Sequence, residues 1–404
     1  MTNRVFAVSL AVALGTFGTL GTLGTLVLAQ APSPKPQAPW KQATAGYTFA
    51  FPRDHASHPD YKIEWWYYTG NVKAADGRRF GYQVTFFRVG IDHTPSNPSR
   101  WAIRDLFMTH LAVSDVSGKR YRYSEKLSRG GPGLAGARTD QYYVWNDDWT
   151  AMLDPSRRSG RSAAEADAVS DPGSGRRERH LLRASSPQAS INLMLEPGKP
   201  PAINGINGIS QKGAQAGNAS HYYSLTRMPT TGTIAIDGEE FTVTGDSWMD
   251  HEFGTSFLEP EQRGWDWLSI QLSDGRELML YQLRRADGSR DPRSSGTFVD
   301  RSGRTSHLAN DDFTLTPGRR QFRSNNGAVY PIEWIVGIPS QGVELTVTTP
   351  LDDQELSLER STGIAYWEGM IDVVGKTGGG PVTGSGYLEM TGYHGSLGRV
   401  LSGR

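Results

Sequence analysis

The sequence predicts an all-β protein of two domains, and three observations carry that prediction. Apolar and polar residues alternate with period two, as where Phe80, Tyr82, Val84 and Phe86 interleave with Gly81, Gln83 and Thr85. Asp-Gly pairs at Asp76-Gly77, Asp237-Gly238 and Asp274-Gly275 each separate two such segments, the mark of a tight hairpin. The 404-residue chain is longer than one hydrophobic core usually organises. Long amphipathic helices and strand–helix alternation are missing from the pattern, so closed antiparallel barrels or sandwiches, which hide sheet edges, are expected.

Taken in order, the chain opens on an export leader. Arg4 gives a small basic region, Val5 to Leu28 is uncharged and rich in Leu, Thr and Gly, and Val27, Ala29 and Ala31 place small residues at signal-peptidase spacing. Cleavage after Ala29 is expected, since cutting after Ala31 would leave Pro32 beside the bond. The segment is also long enough to stay as a membrane anchor. Either way the body is expected outside the cytoplasm, periplasmic or secreted. Residues 30–45 read as a Pro-rich linker and the folded part is expected from Gly46. Residues 46–229 and 230–404 form the expected domains, split near Pro229. Residues 154–180 have almost no large apolar side chain and are expected as a mobile insert. An echo of Ile63-Glu64-Trp65 in Ile332-Glu333-Trp334 hints at internal duplication.

Composition excludes several function classes. The 42 basic and 42 acidic side chains cancel, which argues against a nucleic-acid partner. Cysteine is absent, which removes disulfides, thiolate-bound zinc, iron–sulfur clusters and thiol nucleophiles. There is no G-x-S-x-G elbow. "HEFGT", from His251, has Thr255 where a zincin needs its second histidine, and "GPGLAG", from Gly131, lacks the strand–helix setting of a dinucleotide site. No second His or Cys lies at ligand spacing, so neither a metal nor another cofactor is expected.

The chemistry-bearing groups lie among aromatics. "IEWWYYTG", Ile63 to Gly70, puts Glu64 before four rings. As a strand it would show Trp65 and Tyr67 on one face and Trp66 and Tyr68 on the other, one pair for a core and one for a lumen or partner domain. "GDSWMDHEFGTSF", Gly245 to Phe257, would show Trp248, Asp250 and Glu252 on one face and Met249, His251 and Phe253 on the other. "GWDWLS" sets Asp266 between Trp265 and Trp267. A carboxyl buried beside rings is held protonated and can serve as an acid. The competing reading is a strand-end turn with satisfied hydrogen bonds, with His251 a structural histidine.

These segments, with "GNASHYYSLTRM", "LSIQLSDGRELMLYQLRRADG" and "YWEGMIDV…GYLEMTGY", occur in an order that resembles the AttH/CrtC family of lipocalin-like proteins, the carotenoid hydratase group, over Tyr47 to Tyr393. The resemblance implies two lipocalin-like barrels packed side by side, a site near their junction, and cofactor-free acid-catalysed hydration of an isoprenoid double bond. It implies Asp250 as the acid, His251 orienting it or activating water, and Tyr281 as a further catalytic group, and Asp266 is expected to substitute for the acid that the family has at Leu283. Glu64, Trp65, Tyr67, Tyr222, Trp248, Phe253, Trp265 and Trp267 would shape the pocket for a hydrophobic small molecule. Two family positions differ here: Phe253 replaces a Trp, and Leu283 replaces an Asp. A lipid carrier without catalysis is the alternative, and a secreted hydrolase ranks below both for want of a nucleophile–base motif.

Overall fold

The computed structural model describes residues 39–157, 178–255, 258–358, 361 and 363–395. The expected leader, most of the linker and most of the expected insert 154–180 lie outside them. Each Asp-Gly pair turns a hairpin. Asp237 and Gly238 take φ of 51° and 85°, as a two-residue turn matched to strand twist requires, and join Ala219–Ile236 to Glu239–Gly254. Asp76-Gly77 joins Ile63–Ala74 to Arg79–Gly90, and Asp274-Gly275 joins Gln262–Leu272 to Glu277–Arg285.

In the first sheet, Ile63–Ala74 pairs with Arg79–Gly90 on one side and with Glu239–Gly254 on the other, all antiparallel. Asp105–Asp115 and Arg120–Arg129 extend one flank; Ala219–Ile236, Ala189–Leu195, His180–Ser185, Trp149–Leu153, Tyr143–Asn146 and Ala135–Ala137 extend the other. A bridge from Gly130 to Ala135 brings the flanks together, and Asn146 Nδ2 donates to Thr109 Oγ1 at 3.1 Å, so the sheet is a nearly closed barrel. The second sheet has the same plan. Gln262–Leu272 pairs with Glu277–Arg285 and with the late strand Gly380–Met390, which pairs onward with Ile364–Thr377. Ser295–Val299 and Thr305–Leu308 lie on one flank, and Val343–Thr348, Glu333–Ile338 and Thr314–Pro317 on the other. The fold is thus all-β, two lipocalin-like barrels side by side.

Three local expectations shift. The chain passes from one sheet to the other between Gly254 and Gln262, whereas the expected break at Pro229 falls inside Ala219–Ile236. Pro229 has no N–H to give a ladder, and the strand accommodates it beside a bulge between Leu225 and Met228. Order also begins before Gly46: Ala43 is buried, and Lys41 N donates to Asp60 O at 2.9 Å. The Ile332-Glu333-Trp334 echo lies on a strand equivalent in sheet order to His180–Ser185, not to Ile63–Ala74. The duplication resides in the topology instead.

Each barrel has its own core. Trp66, Tyr68, Tyr82, Phe86, Leu111 and Trp149 fill the first; Leu268, Ile270, Trp334, Val347 and Trp367 fill the second. A further apolar cluster, with Tyr67, Tyr222, Trp248, Trp267, Met279 and Tyr281, joins the barrels. Polar ties frame that junction. Ser114 Oγ donates to Gln354 Oε1 at 2.6 Å, Asn71 Nδ2 to Gly386 O at 3.0 Å, and Gln271 Nε2 to Thr226 O at 2.8 Å. No helix among the described residues is long and apolar enough to cross a membrane.

A buried ionic cluster pins the first strand. Glu64 is fully buried inside the first barrel, where Arg88 Nε lies 3.0 Å from Oε2 and His251 Nε2 and His58 Nδ1 lie 3.0 and 2.9 Å from Oε1. Burial pushes the carboxyl up, but the bonds to His251 and His58 and the Arg88 charge outweigh it and hold the group well below the usual carboxylate range. A carboxyl lowered by folding stabilises the fold above its unfolded pKa, and that contribution fades as pH falls through its folded value. Glu64→Gln removes one of the two carboxylates that pair the buried Arg88, leaving only Asp105 Oδ1 at 3.0 Å, and takes the anion away from His251 and His58, so urea denaturation at pH 7 is expected to show a loss of about 3 kcal/mol. A loss below about 0.5 kcal/mol, the range of an ordinary surface substitution, would show that the cluster does not hold the strand.

Candidate functional site

On the other face of the same strands lies a chamber between the barrels, with a cavity of about 130 Å³. Side chains of both sheets line it. Trp65, Tyr67, Tyr222, Asp250 and Glu252 come from the first, with Lys212 from a loop beside it; Trp265, Trp267, Tyr281, Leu283, Glu368 and Glu389 come from the second. Half-buried Trp65, Leu258, Trp265 and Ile364 mark its rim.

Asp250 is the best-supported polar group of the wall. Its Oδ1 accepts from Ser224 Oγ at 2.5 Å and from Trp248 Nε1 at 2.7 Å, and its Oδ2 accepts from Tyr222 Oη at 2.6 Å. Trp267 Nε1, from the second barrel, donates to Tyr222 Oη at 3.2 Å, and Asn204 Nδ2 donates to Ser224 Oγ at 2.8 Å. These donors favour the carboxylate, but burial outweighs them and the Glu252 charge adds to burial, so the pKa is pushed up to about 7.

The second barrel adds two more acids. Glu368 and Glu389 face each other in register on adjacent strands, both buried. Burial, then the nearness of Glu389, raises Glu368 well above the carboxylate range. Burial raises Glu389 to about 7, against a hydrogen bond from Trp265, with the Asp250 and Glu252 charges adding to it. Two carboxylates so placed cannot both ionise cheaply. The buried Tyr67 hydroxyl is raised by burial and then by the Glu368, Glu389 and Asp250 charges around it. Neither Tyr67 Oη nor Glu368 Oε1 makes a hydrogen bond of ordinary geometry among the described residues.

Lys212 is the one cation among the described lining residues. Its Nζ lies 3.1 Å from Glu252 Oε1 and 4.2 Å from the centre of the Tyr281 ring. Burial works against its charge, yet Glu252 and Tyr281 hold its pKa above the ordinary value. The Glu252–Lys212 pair is self-contained, leaving Asp250, Glu368 and Glu389 as acids without a partner cation in the wall.

The arrangement repeats across the two barrels. Tyr67 is in register with Asp250, which is in register with Ser224; in the second barrel Trp267 is in register with Glu389, which is in register with Glu368. These six residues occupy equivalent strands of the shared plan.

The sequence-derived residues divide by strand face. Trp65, Tyr67, Tyr222, Asp250, Trp265, Trp267 and Tyr281 reach the chamber, and Trp248 reaches it only through its bond to Asp250. Tyr281 presents its ring, while its hydroxyl sits 3.0 Å from Ser210 Oγ and 3.1 Å from Ser295 Oγ. His251, Glu64 and Phe253 point the other way, into the first barrel, because neighbours in a strand alternate. His251 Nδ1 lies 3.0 Å from Asp54 O, and the Phe253 ring stacks on His58 at 3.6 Å. His251 therefore cannot orient Asp250 or activate a water beside it. Asp266 also points away, accepting from Gln282 Nε2 at 2.8 Å and lying 3.0 Å from Arg284 Nε. Of the two departures from the family pattern, Leu283 lines the chamber and Phe253 does not.

Sequence reasoning missed Glu368, Glu389 and Lys212. Glu368 and Glu389 are lone carboxylates in otherwise apolar strand segments, "AYWEGMI" and "GYLEM", which is a readable sign of a buried acid. Lys212 sits in a Gly-, Ser- and Gln-rich loop and carries no such mark.

Comparison with known proteins follows the same lines. A crystal structure of an AttH protein from Nitrosomonas europaea is 32% identical, with a TM-score of 0.74, and covers 87% of this chain and 99% of that one. Kievitone hydratase from Nectria haematococca is 15% identical, with a TM-score of 0.62 over 88% of this chain and 98% of that one, a likeness of fold. No curated protein matches the chain. The family described as AttH-like matches residues 42–393, which takes in both barrels and every residue of the chamber, and the chain belongs to that family.

Proposed function

We propose that the chamber binds the end of a hydrophobic, isoprenoid-like molecule and hydrates a double bond there, with Asp250 as the acid, in a protein exported from the cytoplasm. The observation that carries this reading is Asp250 itself, a carboxyl held near pKa 7 in an aromatic wall. Kievitone hydratase, a protein of this fold, motivates the reaction class. A cavity of about 130 Å³ suits a branched chain end rather than a whole long ligand; engineered cavities of about 150 Å³ hold a benzene.

The steps balance without a redox partner. Asp250 Oδ2 accepts one hydrogen bond and has capacity left to carry a proton toward the chamber. It delivers that proton to one alkene carbon and becomes a carboxylate, and the neighbouring carbon becomes a tertiary cation. The faces of Tyr67 and Trp267, whose centroids lie 5.1 Å apart, stabilise that cation. Water adds to it, and the released proton returns to Asp250. Tyr222, Ser224 and Trp248 hold the transient carboxylate, so the acid is regenerated.

The test is incubation with acyclic isoprenoids bearing a terminal trisubstituted double bond in ¹⁸O-water, followed by mass spectrometry. A tertiary alcohol carrying ¹⁸O is expected from the wild type, and Asp250→Asn is expected to slow its formation by about 10²–10⁴-fold. Ligand recovered unchanged from both proteins would identify a carrier instead.

Two pH effects follow. The acid must be protonated, so turnover is expected to fall as pH rises through about 7. Glu389→Gln removes a neighbouring charge and is expected to move that fall to lower pH; a profile independent of both groups would remove Asp250 from the chemistry. Stability carries the same sign. Folding raises Asp250 from 3.8 to about 7, so its contribution is complete below pH 4 and lost as pH passes 7. At about 1.4 kcal/mol per pKa unit the change approaches about 4 kcal/mol. Chemical denaturation at pH 5 and pH 8 is expected to show a smaller difference in Asp250→Asn than in the wild type.

A further inference from the structure

A second cluster of ligating groups lies inside the first barrel, away from the chamber. His55 ends the short turn Arg53–His55, and His180 begins the strand His180–Ser185. Glu178 stands two residues before His180. One donor atom of each lies within 4.8 Å of the other two. Both histidines are wholly buried, whereas the Glu178 side chain keeps 37% exposure and opens the group toward solvent.

Tyrosine hydroxyls hold both rings by the same nitrogen. His55 Nδ1 lies 2.6 Å from Tyr223 Oη, and His180 Nδ1 lies 2.9 Å from Tyr68 Oη. Histidines that bind metals are held in this way, one nitrogen fixed by a polar neighbour and the other turned to the ion. His180 Nε2 is buried and has no hydrogen-bond partner among the described residues, an unfavourable state that a metal bond would relieve. His55 Nε2 faces Glu178 Oε2 at 3.1 Å. Tyr223 can give its own proton to Asp54 O, 3.3 Å away, and so accept the Nδ1 proton of His55. In that tautomer the Nε2 lone pair of His55 and the Glu178 carboxylate face one space, as two ligands of one ion do.

We propose that His55, Glu178 and His180 bind one divalent transition-metal ion, with zinc the ion that two imidazoles, one carboxylate and a remaining water position suit best. The ligands come from segments more than a hundred residues apart, which is why no spacing in the sequence announces them. The site is separate from the chamber, because Tyr68, which holds His180, and Tyr67, which lines the chamber, project from opposite faces of one strand. The ion joins the Arg53–His55 turn to the start of the His180 strand, and its effect is on stability.

The test uses the tag-free chain treated with chelator and dialysed at pH 7.5, then titrated with Zn²⁺ by calorimetry and with Co²⁺ by visible absorption. One ion per chain, a rise in Tm and a Co²⁺ spectrum of low coordination number are expected. Glu178→Gln, an isosteric change at a half-exposed position, is expected to weaken binding by about tenfold or more, and His180→Ala to abolish it. Should His180→Ala fail to fold by circular dichroism, Glu178→Gln decides alone. Absence of stoichiometric binding would overturn the site and leave an ordinary His55–Glu178 hydrogen bond. Wild-type affinity in Glu178→Gln would place the ion elsewhere and overturn it equally.

Discussion

The antiparallel pairing of Ile63–Ala74 with Glu239–Gly254 fixes what every other element can do. Its partners are far apart in sequence, with Glu64 and His251 separated by 187 residues, so their closure is costly in chain entropy and must be held by strong contacts. Once Trp66 stands opposite His251 and Tyr67 opposite Asp250, period two assigns each residue to a core or to the chamber. A slip of one residue on the closing strand would bring His251 to the chamber and drive Asp250 into the first core. The Glu64 cluster guards against that slip, since only the observed register brings His251 Nε2 to Glu64 Oε1. Residues that take no part in the chamber therefore decide which acid lines it.

The chamber is unusual in its balance of charge. Among the described residues its wall has one cation, committed to Glu252, and three further carboxyls with no cation of their own. In water such a set would be fully ionised at neutral pH. Behind aromatic rings, ionising all three would cost more than retaining protons, so the wall stores acidity. The hydrogen bonds to Asp250 keep this store usable: three donors hold it near 7, whereas burial and the facing Glu389 carry Glu368 well above its ordinary range. The burial that makes the wall apolar also raises its acids, and the proposed function draws on both.

Much of the architecture was legible in the chain. The Asp-Gly turns and the period-two strands identify antiparallel sheet, and the four-ring run gives its two faces correctly, Trp66 and Tyr68 inward and Trp65 and Tyr67 outward. Site membership was legible only where alternation could be applied. It separates Asp250 from His251, but the resemblance to a family motif grouped the two as a pair. Glu389 and Lys212 come to Asp250 through packing of a second barrel, a contact that no local pattern encodes. The Pro229 boundary illustrates the reverse error, since a residue that usually ends strands is here absorbed by a bulge.

The two barrels share a strand plan, and their equivalent rows, Tyr67–Asp250–Ser224 and Trp267–Glu389–Glu368, meet across one space. Had the rows stayed identical, the space would have a two-fold character, and a molecule entering it would find the same environment whichever way it lay. The rows differ at all three members, and most in chemistry at the third, where a hydroxyl donor stands beside Asp250 and a second acid beside Glu389. Those differences break the equivalence. They give the space a direction, with the acid held by three hydrogen-bond donors on one side only, so that a chain end bound as proposed would meet two unlike walls.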